Sequence, residues 1–291
     1  MIDPGIYGPE EISMAGYLKD PCPEPSLSTG AVRLITAKTP EHVYANHPRL
    51  GGGEDESFSP RAGLGDLAHA LSFPGGKPVH VVEGFDDWRK KAAQEERDAA
   101  IAEGKIAALQ RDYDKAMRMS ERLRPVLEDL GAAKTEQTII AKIDGVWSRG
   151  RADWLSADTL RDLDYKTTGD AHPDRWAKKV MTPMEYHIQA ELRRQSLDAL
   201  FGEDPRRHAV WLLQEIEPPY SWSFAAPDQA TQDQARSKVD AARRAFGLCL
   251  RSGEWPGYGM EINRVSAAAW SFYDWEAQDA HWLKEPEEEA A

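Results

Sequence analysis

The spacing of apolar and polar residues predicts several helices in the first half of the chain. One helix is predicted to begin at Ser28 and another at Thr39, which is followed by a proline at the first helical position. The segment RAGLGDLAHALSF carries its leucines on one helical face. Residues 86–131 are charged, rich in alanine and helically spaced, which predicts two helices broken near Gly104.

The spacing then changes to short runs rich in β-branched residues. A strand is predicted in VHVVEGF, and three more at about residues 135–143, 146–155 and 160–167. Asp144-Gly145, between the first two strands of this group, is a strong signal for a hairpin turn. The region is therefore predicted to form an antiparallel meander.

Helical spacing returns in the last third of the chain. Thr182 to Glu185 forms a capping box, and the helix it opens is predicted to extend to Phe201. A strand follows in HAVWLLQEI, and a long helix covers about residues 228–251. Helices before and after a β meander predict an α/β fold, with a mixed central sheet flanked by helices and further helical elaborations.

The distribution of prolines and acidic residues predicts the domain organisation. Residues 1–25 show no clear period and are interpreted as an irregular arm, and residues 48–60 as a loop. Residues 26–275 are predicted to form one domain, which suits the usual domain size. Residues 276–291 are predicted to be an acidic tail.

The composition excludes several classes of protein. With 36 basic and 49 acidic residues the formal net charge is 36 − 49 = −13, which argues against a protein that coats nucleic acid non-specifically. Two cysteines without a CxxC motif argue against a structural zinc or an iron–sulfur cluster. No apolar run approaches the ~20 residues of a membrane span, and the N-terminus lacks the features of a signal peptide. We therefore expect a cytoplasmic protein with no membrane partner.

The candidate chemistry lies in the segment GRADWLSADTLRDLDYKTT. Asp164 and Lys166 are two residues apart on a predicted strand and share one face, whereas Tyr165 points away. Asp153 lies on the preceding strand, which the short turn folds back beside them. Carboxylates bind hard cations such as Mg²⁺, and a nearby lysine can stabilise developing charge. The pattern is typical of phosphodiester hydrolysis.

A structural alternative exists for the same residues. An Asp-x-Lys pair on a strand is commonly a solvated ion pair of little energetic value. The second acid one hairpin away, Asp153, favours a site over a surface pair. Trp154 is predicted to point to the opposite face of its strand and to pack in the core.

Five segments resemble a known family. They are SLSTGAVRLITAKTPEHVYANHP, GLGDLAHAL, GRADWL with LDYKTTGDA, YHIQAELRRQSL and CLRSGEWPGYG. Their order and spacing resemble the exonuclease VIII group of phage and prophage recombination nucleases, within the PD-(D/E)xK superfamily. The resemblance implies a PD-(D/E)xK nuclease-like core and metal-dependent exonuclease activity on the ends of double-stranded DNA, with 5′→3′ direction.

The resemblance also implies which residues form the site. The implied metal ligands are His69, Asp153, Asp164, the backbone carbonyl of Tyr165 and, held more loosely, Glu136. The implied catalytic residues are Asp153, Asp164, Lys166 and Gln189, where Gln189 positions Lys166 or the DNA. The implied cofactor is Mg²⁺, for which Mn²⁺ substitutes. Related branches carry four cysteines for an iron–sulfur cluster, and this chain lacks them.

One position departs from the family pattern. The family's tyrosine four residues after Gln189 is Arg193 here. Arg193 and Tyr186 share a helical face with Gln189, and we predict that both contact DNA, Arg193 through a phosphate. The alternative for Arg193 is a salt bridge to another element. Arg194 has acidic residues three and four positions away and is predicted to form ion pairs on a solvated helix face.

The resemblance extends to partners. It implies double-stranded DNA ends as substrate, a single-strand annealing protein as a partner in recombination, and a homo-oligomer. Two other interpretations stay open at this point. The same core also suits an endonuclease or junction-cutting enzyme, and a catalytically silent DNA-binding protein could keep the fold.

Overall fold

The computed structural model of the protein describes residues 2–52 and 63–282. In these residues the elements follow in this order: β1 (Gly5–Tyr7), α1 (Met14–Leu18), α2 (Thr29–Ala37), α3 (Pro40–Asn46), α4 (Leu64–Ser72), β2 (Val79–Val82), α5 (Lys91–Ala102), β3 (Ile106–Leu109), α6 (Gln110–Leu130), β4 (Ala133–Ile143), β5 (Val146–Ser156), β6 (Arg161–Thr168), α7 (Pro173–Trp176), a π-helical turn (Ala177–Met181), α8 (Thr182–Met184), α9 (Tyr186–Phe201), β7 (His208–Glu215), β8 (Trp222–Ala225), α10 (Gln229–Ser252) and α11 (Ala269–Trp282).

A mixed six-stranded sheet forms the centre of the fold, in the order β1-β4-β5-β6-β7-β8. β6 and β7 are parallel, and the other neighbouring strands are antiparallel. β2 and β3 form a separate parallel pair. The predicted α/β fold class, with a mixed sheet and helices on its faces, is confirmed.

The β4–β5 hairpin follows the prediction closely. Asp144 and Gly145 both have positive φ, 52° and 79°, which is the backbone of a tight two-residue hairpin turn. β5 and β6, in contrast, pair at only two positions, Trp154 with Leu163 and Leu155 with Asp162. Beyond these pairs the two strands separate, and the space between them holds the candidate site.

Each face of the sheet is covered by helices. On one face α4 and α6 pack against Trp154, Leu163 and Tyr165, which confirms the packing role predicted for Trp154. On the other face α9 lies on β4 and β5, with α2 and α10 behind it. Because side chains alternate along β6, Asp162 and Asp164 point towards α9 while Leu163 and Tyr165 enter the opposite core.

Three predictions of local structure were wrong in detail. The N-terminal arm is not wholly irregular, because β1 pairs with β4 and α1 follows it. Ile106–Leu109 is a strand rather than part of a helix, since it pairs with β2. The helix expected from Thr182 is interrupted at Glu185, whose φ of 50° is left-handed, so α9 begins at Tyr186.

The chain divides into two compact units, Met1–Gly257 and Tyr258–Ala291. This division falls earlier than the predicted boundary at residue 275. α11 belongs to the second unit, whereas most of the predicted acidic tail and of the loop at 48–60 lies outside the described residues. None of the described helices is both long and apolar enough to cross a bilayer.

Candidate active site

Asp153 lies at the point where β5 and β6 separate. Its Oδ2 accepts a hydrogen bond of 2.8 Å from the backbone N–H of Tyr165, so the side chain continues the contact between the strands where the backbone ladder has ended. Burial alone would raise the pKa of Asp153, but the adjacent His69 and Lys166 lower it below its usual range. Asp153 is therefore held as a carboxylate.

His69 reaches the same point from α4. Its Nε2 lies 3.4 Å from Asp153 Oδ1 and 3.3 Å from Glu136 Oε1. The imidazole ring also lies beside Phe73, with 5.2 Å between ring centroids. Burial would lower the pKa of His69, but the negative charges of Asp153 and Glu136 raise it to about 9.

Glu136 is placed by an unusual backbone conformation within β4. The ladder pairs Thr135 with Trp154 and Gln137 with Ala152, so Glu136 lies opposite Asp153. Glu136 has a φ of 55°, which is uncommon for a residue other than glycine. Such strained positions are concentrated at functional sites, and here the strained residue carries an acidic side chain.

The two oxygens of Glu136 have different surroundings. Oε2 accepts a hydrogen bond of 2.8 Å from Arg151 Nε, whereas Oε1 is buried and has no hydrogen-bond partner among the described residues. Oε1 forms an ion pair with His69 Nε2 at 3.3 Å without a hydrogen bond, and leaving a buried charged oxygen without such a bond is costly. The environment of Oε1, close to His69 and Asp153, is one that a bound cation would complete.

His69, Glu136 and Asp153 together fit a divalent metal. One donor atom from each lies within 4.8 Å of the other two, and within the described part of the chain no other group of three such residues is this close. Carboxylate oxygens suit Mg²⁺, and the imidazole nitrogen suits softer ions. The donor set therefore fits Mg²⁺ or Mn²⁺.

Asp164 and Lys166 lie beside this cluster on β6. Lys166 Nζ is 2.5 Å from Asp164 Oδ2 and 4.6 Å from the centre of the Tyr186 ring. Burial would lower the pKa of Lys166, but Asp164 and Asp153 outweigh this effect and raise it. Lys166 is thus held as an ammonium ion next to the carboxylates.

The predicted metal role of Asp164 and of the Tyr165 carbonyl stays a prediction. Asp164 lies outside the three-residue cluster, and its carboxylate contacts Lys166 and Arg193. The remaining polar groups of Tyr165 hold its position in the sheet. Its N–H binds Asp153, and its hydroxyl donates to Gln214 Oε1 at 2.6 Å.

The structure contradicts the phosphate contact that was predicted for Arg193. It has no exposed surface, and its guanidinium binds Asp162 and Asp164 within the protein. A DNA phosphate cannot reach a fully buried side chain, so the alternative of a salt bridge to another element is correct. Arg194 forms the predicted ion pairs with Glu191 and Asp198, but the predicted solvated face is wrong for Glu191, which is buried.

Tyr186 and Gln189 lie at the start of α9. Tyr186 stacks on Trp176, with centroids 6.1 Å apart and planes 16° apart, and its ring also faces Lys166. Gln189 is half-buried and makes no side-chain hydrogen bond within residues 2–52 and 63–282. Gln189 lies between Tyr186 and Arg193 on one helical face, and its role in positioning Lys166 or the DNA stays a prediction.

Sequence reasoning missed two charged residues that support the site. Arg151 binds Glu136, and Asp162 binds Arg193. Both belong to alternating polar positions on strands that were predicted, Arg151 two residues before Asp153 and Asp162 two residues before Asp164. That alternation was a usable signal, because alternate residues share one face.

Comparison with known proteins agrees with this architecture. A crystal structure from Eubacterium rectale, described provisionally as an exonuclease, is similar with a TM-score of 0.56 and 11% identity, over 92% of this chain and 98% of that chain. At this identity the similarity supports the fold alone. No curated protein matches.

Two further solved structures are weakly similar. An alkaline exonuclease from Laribacter hongkongensis is 13% identical over 66% of this chain and 91% of that chain, with a TM-score of 0.31. A phage-related exonuclease from Haemophilus somnus is 14% identical over 67% of this chain and 96% of that chain, with a TM-score of 0.27.

The mixed sheet, with Asp153 on one strand and Asp164-x-Lys166 on the next, defines an α/β protein with a PD-(D/E)xK nuclease-like core. The chain belongs to the family described as a PDDEXK-like domain of unknown function (DUF3799), which matches residues 61–267.

Proposed function

We propose that this protein is a metal-dependent deoxyribonuclease that hydrolyses phosphodiester bonds at the ends of linear double-stranded DNA. The observation that carries the proposal is the convergence of His69, Glu136 and Asp153 beside the Asp164–Lys166 pair, where β5 and β6 separate. The PDDEXK-like family assignment supports the same class of chemistry.

The residues of the site have distinct parts in the proposed reaction. His69, Glu136 and Asp153 would hold a divalent ion, joined by Asp164 and the Tyr165 carbonyl. Such an ion supplies a water of lowered pKa and neutralises phosphate charge. Lys166, kept protonated by Asp164, would stabilise the negative charge that develops during cleavage. Gln189, on the same face of α9 as Tyr186, would position Lys166 or the DNA strand.

Mg²⁺ is the proposed cofactor, and Mn²⁺ should also support cleavage. Ca²⁺ should bind without supporting cleavage, because it is larger and accepts looser geometry. Activity that survives complete chelation of divalent ions would contradict a metal-dependent mechanism.

The preference for DNA ends rests on the resemblance to exonuclease VIII-type enzymes, which also underlies the proposed 5′→3′ direction. The proposed setting is recombination, in which the exposed strand passes to an annealing protein, with the nuclease acting as a homo-oligomer. An endonuclease on the same core is the second candidate, since the metal-binding residues alone do not select ends.

The two candidates and a silent DNA-binding protein can be separated in one assay. End-labelled linear DNA and covalently closed circular DNA are incubated with the protein and Mg²⁺. Loss of linear DNA alone indicates an exonuclease, and cutting of circles indicates an endonuclease. If both substrates persist while the protein binds them, the proposal of nuclease activity is wrong.

A further inference from the structure

Arg193 is buried directly beneath the candidate active site. It has no exposed surface although it carries a full charge, and it is one of the largest fully buried side chains of the described chain. Its stem lies against Gly150 of β5, where an added Cβ would approach Arg193 Cγ to 2.7 Å. Glycine at this position therefore leaves the space that the arginine stem occupies.

The guanidinium of Arg193 is held by three oxygens from two strands. Nε lies 2.6 Å from Asp162 Oδ2, and the terminal nitrogen Nη1 donates to the backbone carbonyl of Arg151 at 3.1 Å. The same Nη1 lies 3.3 Å from Asp164 Oδ1. Asp162 and the Arg151 carbonyl thus fix the guanidinium, and the fixed guanidinium contacts Asp164.

Asp164 is consequently held from two sides. Arg193 binds Oδ1, and Lys166 lies 2.5 Å from Oδ2. The carboxylate cannot rotate without losing one of these contacts. Asp164 precedes Tyr165, whose backbone N–H binds Asp153 Oδ2, so it lies next to the cluster of His69, Glu136 and Asp153.

We propose that Arg193 is a positioning residue, which fixes the Asp164 carboxylate for metal binding and orients the Lys166 ammonium through it. The inference rests on the proposed function and deepens it, since it assigns a role to a residue that does not touch substrate. Arginine suits this role because its planar fork binds two carboxylates and a carbonyl in a fixed geometry, which a lysine ammonium does not reproduce.

The energetic cost of burying charge favours a positioning role for Arg193 over a role in stabilising the fold. Replacing a buried ion pair with apolar residues of similar volume is often neutral or stabilising. A buried Arg193–Asp162–Asp164 group is therefore a poor way to stabilise this core. Its contact with the candidate active site gives it a use that an apolar group could not supply.

The test uses substitutions that keep the charge and change the geometry. Arg193→Lys retains the positive charge but loses the planar fork, so the net charge near the proposed metal site is unchanged while Asp164 is released. Mn²⁺ affinity, measured by titration calorimetry without DNA, should fall about 10- to 100-fold, the usual cost of removing an outer-shell partner of a metal ligand. Arg194→Lys, the same substitution one position along α9, should leave the affinity unchanged.

A second variant protects the test against misfolding. Gly150→Ala leaves every charge in place but displaces the Arg193 stem, and it should weaken Mn²⁺ binding in the same direction. Folding of each variant is checked by circular dichroism and urea unfolding. A purely structural Arg193 would lower the unfolding midpoint and leave the Mn²⁺ dissociation constant unchanged, which would overturn the inference.

The outcome separates this inference from the proposed function. Suppose that the wild-type protein binds Mn²⁺ but does not cleave DNA, and that Arg193→Lys weakens Mn²⁺ binding. This result would support the positioning role of Arg193 and refute the proposed nuclease activity. If the wild-type protein cleaves DNA and both arginine variants bind Mn²⁺ with the wild-type affinity, only the positioning role is refuted. Absence of Mn²⁺ binding by the wild type overturns both.

Discussion

At the residue scale, the position of Lys166 illustrates how the site controls charge. A buried lysine would tend to lose its proton, but the carboxylate of Asp164 2.5 Å away stabilises the ammonium form. Asp153 adds a second negative charge on the opposite strand. The pair that sequence alone could not distinguish from a surface ion pair thus joins a buried Asp164 to a half-buried Lys166, beside the cluster of His69, Glu136 and Asp153.

Substitution of these residues should abolish cleavage. We expect Lys166→Met, Asp153→Asn and Asp164→Asn each to reduce turnover of end-labelled linear DNA by at least about 10²- to 10³-fold, because Lys166 would stabilise the charge of the transition state and the two carboxylates would hold the divalent ion. Lys142→Met is the control, since Lys142 lies over Trp147 on the surface of the sheet. Wild-type turnover by any of the three variants would contradict the assigned site.

The pKa of His69 predicts a pH-dependent contribution to the stability of the metal-free protein. Its folded pKa of about 9 is higher than the unfolded value of about 6.5. The stabilisation from the pairs with Glu136 and Asp153 is therefore complete below about pH 6.5 and is lost as the pH rises through about 9.

Urea unfolding with a chelator present tests this prediction. The free energy difference between wild type and His69→Ala should be largest near about pH 6 and should shrink towards about pH 10. In a Glu136→Gln/Asp153→Asn background the effect of His69→Ala should lose this pH dependence. A difference that grows with pH would mean that His69 is neutral in the folded protein.

At the element scale, the β4–β5 hairpin shows what local sequence determines. Asp144-Gly145 specifies a turn within two residues, so its position was predictable and fixes the register that brings Glu136 opposite Asp153. Ile106–Leu109 was not predictable as a strand, because its partner β2 lies more than twenty residues earlier in the chain.

The candidate site was partly predictable for the same reason. Asp153, Asp164 and Lys166 lie in one contiguous segment, and strand alternation brings them together. The salt bridges of Arg193 to Asp162 and Asp164 join α9 to β6. Helical spacing shows which face of α9 Arg193 occupies but not what that face contacts. The predicted phosphate contact was wrong because Arg193 is buried against these two carboxylates.

Gly145 should be sensitive to substitution because of its backbone alone. A Cβ at Gly145 would have no neighbour within 4 Å, yet its φ is 79°. Gly145→Ala should therefore destabilise the protein by about 1–2 kcal/mol in urea unfolding. Gly30→Ala is the control, because Gly30 lies in α2 and alanine should stabilise a helix by up to about 1 kcal/mol. Equal effects of the two substitutions would contradict the conformational explanation.

A buried cluster around Asp20 attaches the N-terminal arm to β5. Asp20 accepts hydrogen bonds from the N–H and hydroxyl of Ser26, both 2.8 Å, and lies 3.3 Å from both His47 and Arg149. Burial would raise the pKa of Asp20, but these partners lower it to about 2. The arm is thus part of the folded domain.

Removal of this carboxylate should destabilise the protein in a pH-dependent way. Asp20→Asn leaves Arg149 buried without its counter-ion, at a cost of about 3–5 kcal/mol near neutral pH. Because the folded pKa is depressed, the contribution is present above the unfolded pKa and is lost as the pH falls through about 2. Urea unfolding at neutral and acidic pH should show the difference between wild type and variant decreasing with acidity.

Glu24→Gln is the control for this experiment. Glu24 belongs to the same segment, but its side chain is exposed and lies 3.7 Å from Lys142, an interaction worth at most about 1 kcal/mol. A loss of stability for Glu24→Gln as large as that for Asp20→Asn would show that the buried cluster has no special role.

At the scale of the whole molecule, the net charge of −13 is compatible with a DNA substrate because charge acts locally. Within the candidate site the carboxylates are balanced by Lys166, His69, Arg151 and Arg193. A divalent ion would add the positive charge that a phosphate needs, so the acidic composition and the proposed chemistry are consistent.

The two compact units of the chain should differ in their importance for the proposed activity. Every candidate site residue lies in the unit ending at Gly257. Near that end, Trp255 packs against Tyr44 and Phe246, with ring centroids 5.6 and 5.5 Å apart, in an apolar cluster with α2 and α10.

A chain truncated after Gly257 should therefore keep its urea-unfolding midpoint and its cleavage of linear DNA. Truncation after Gly253 removes Trp255 and should lower the free energy of unfolding by about 1–3 kcal/mol, since it exposes the apolar surface that the indole covers. If both truncations destabilise the protein equally, residues 258–291 contribute to the stability of the first unit and the division at Gly257 is not an energetic boundary.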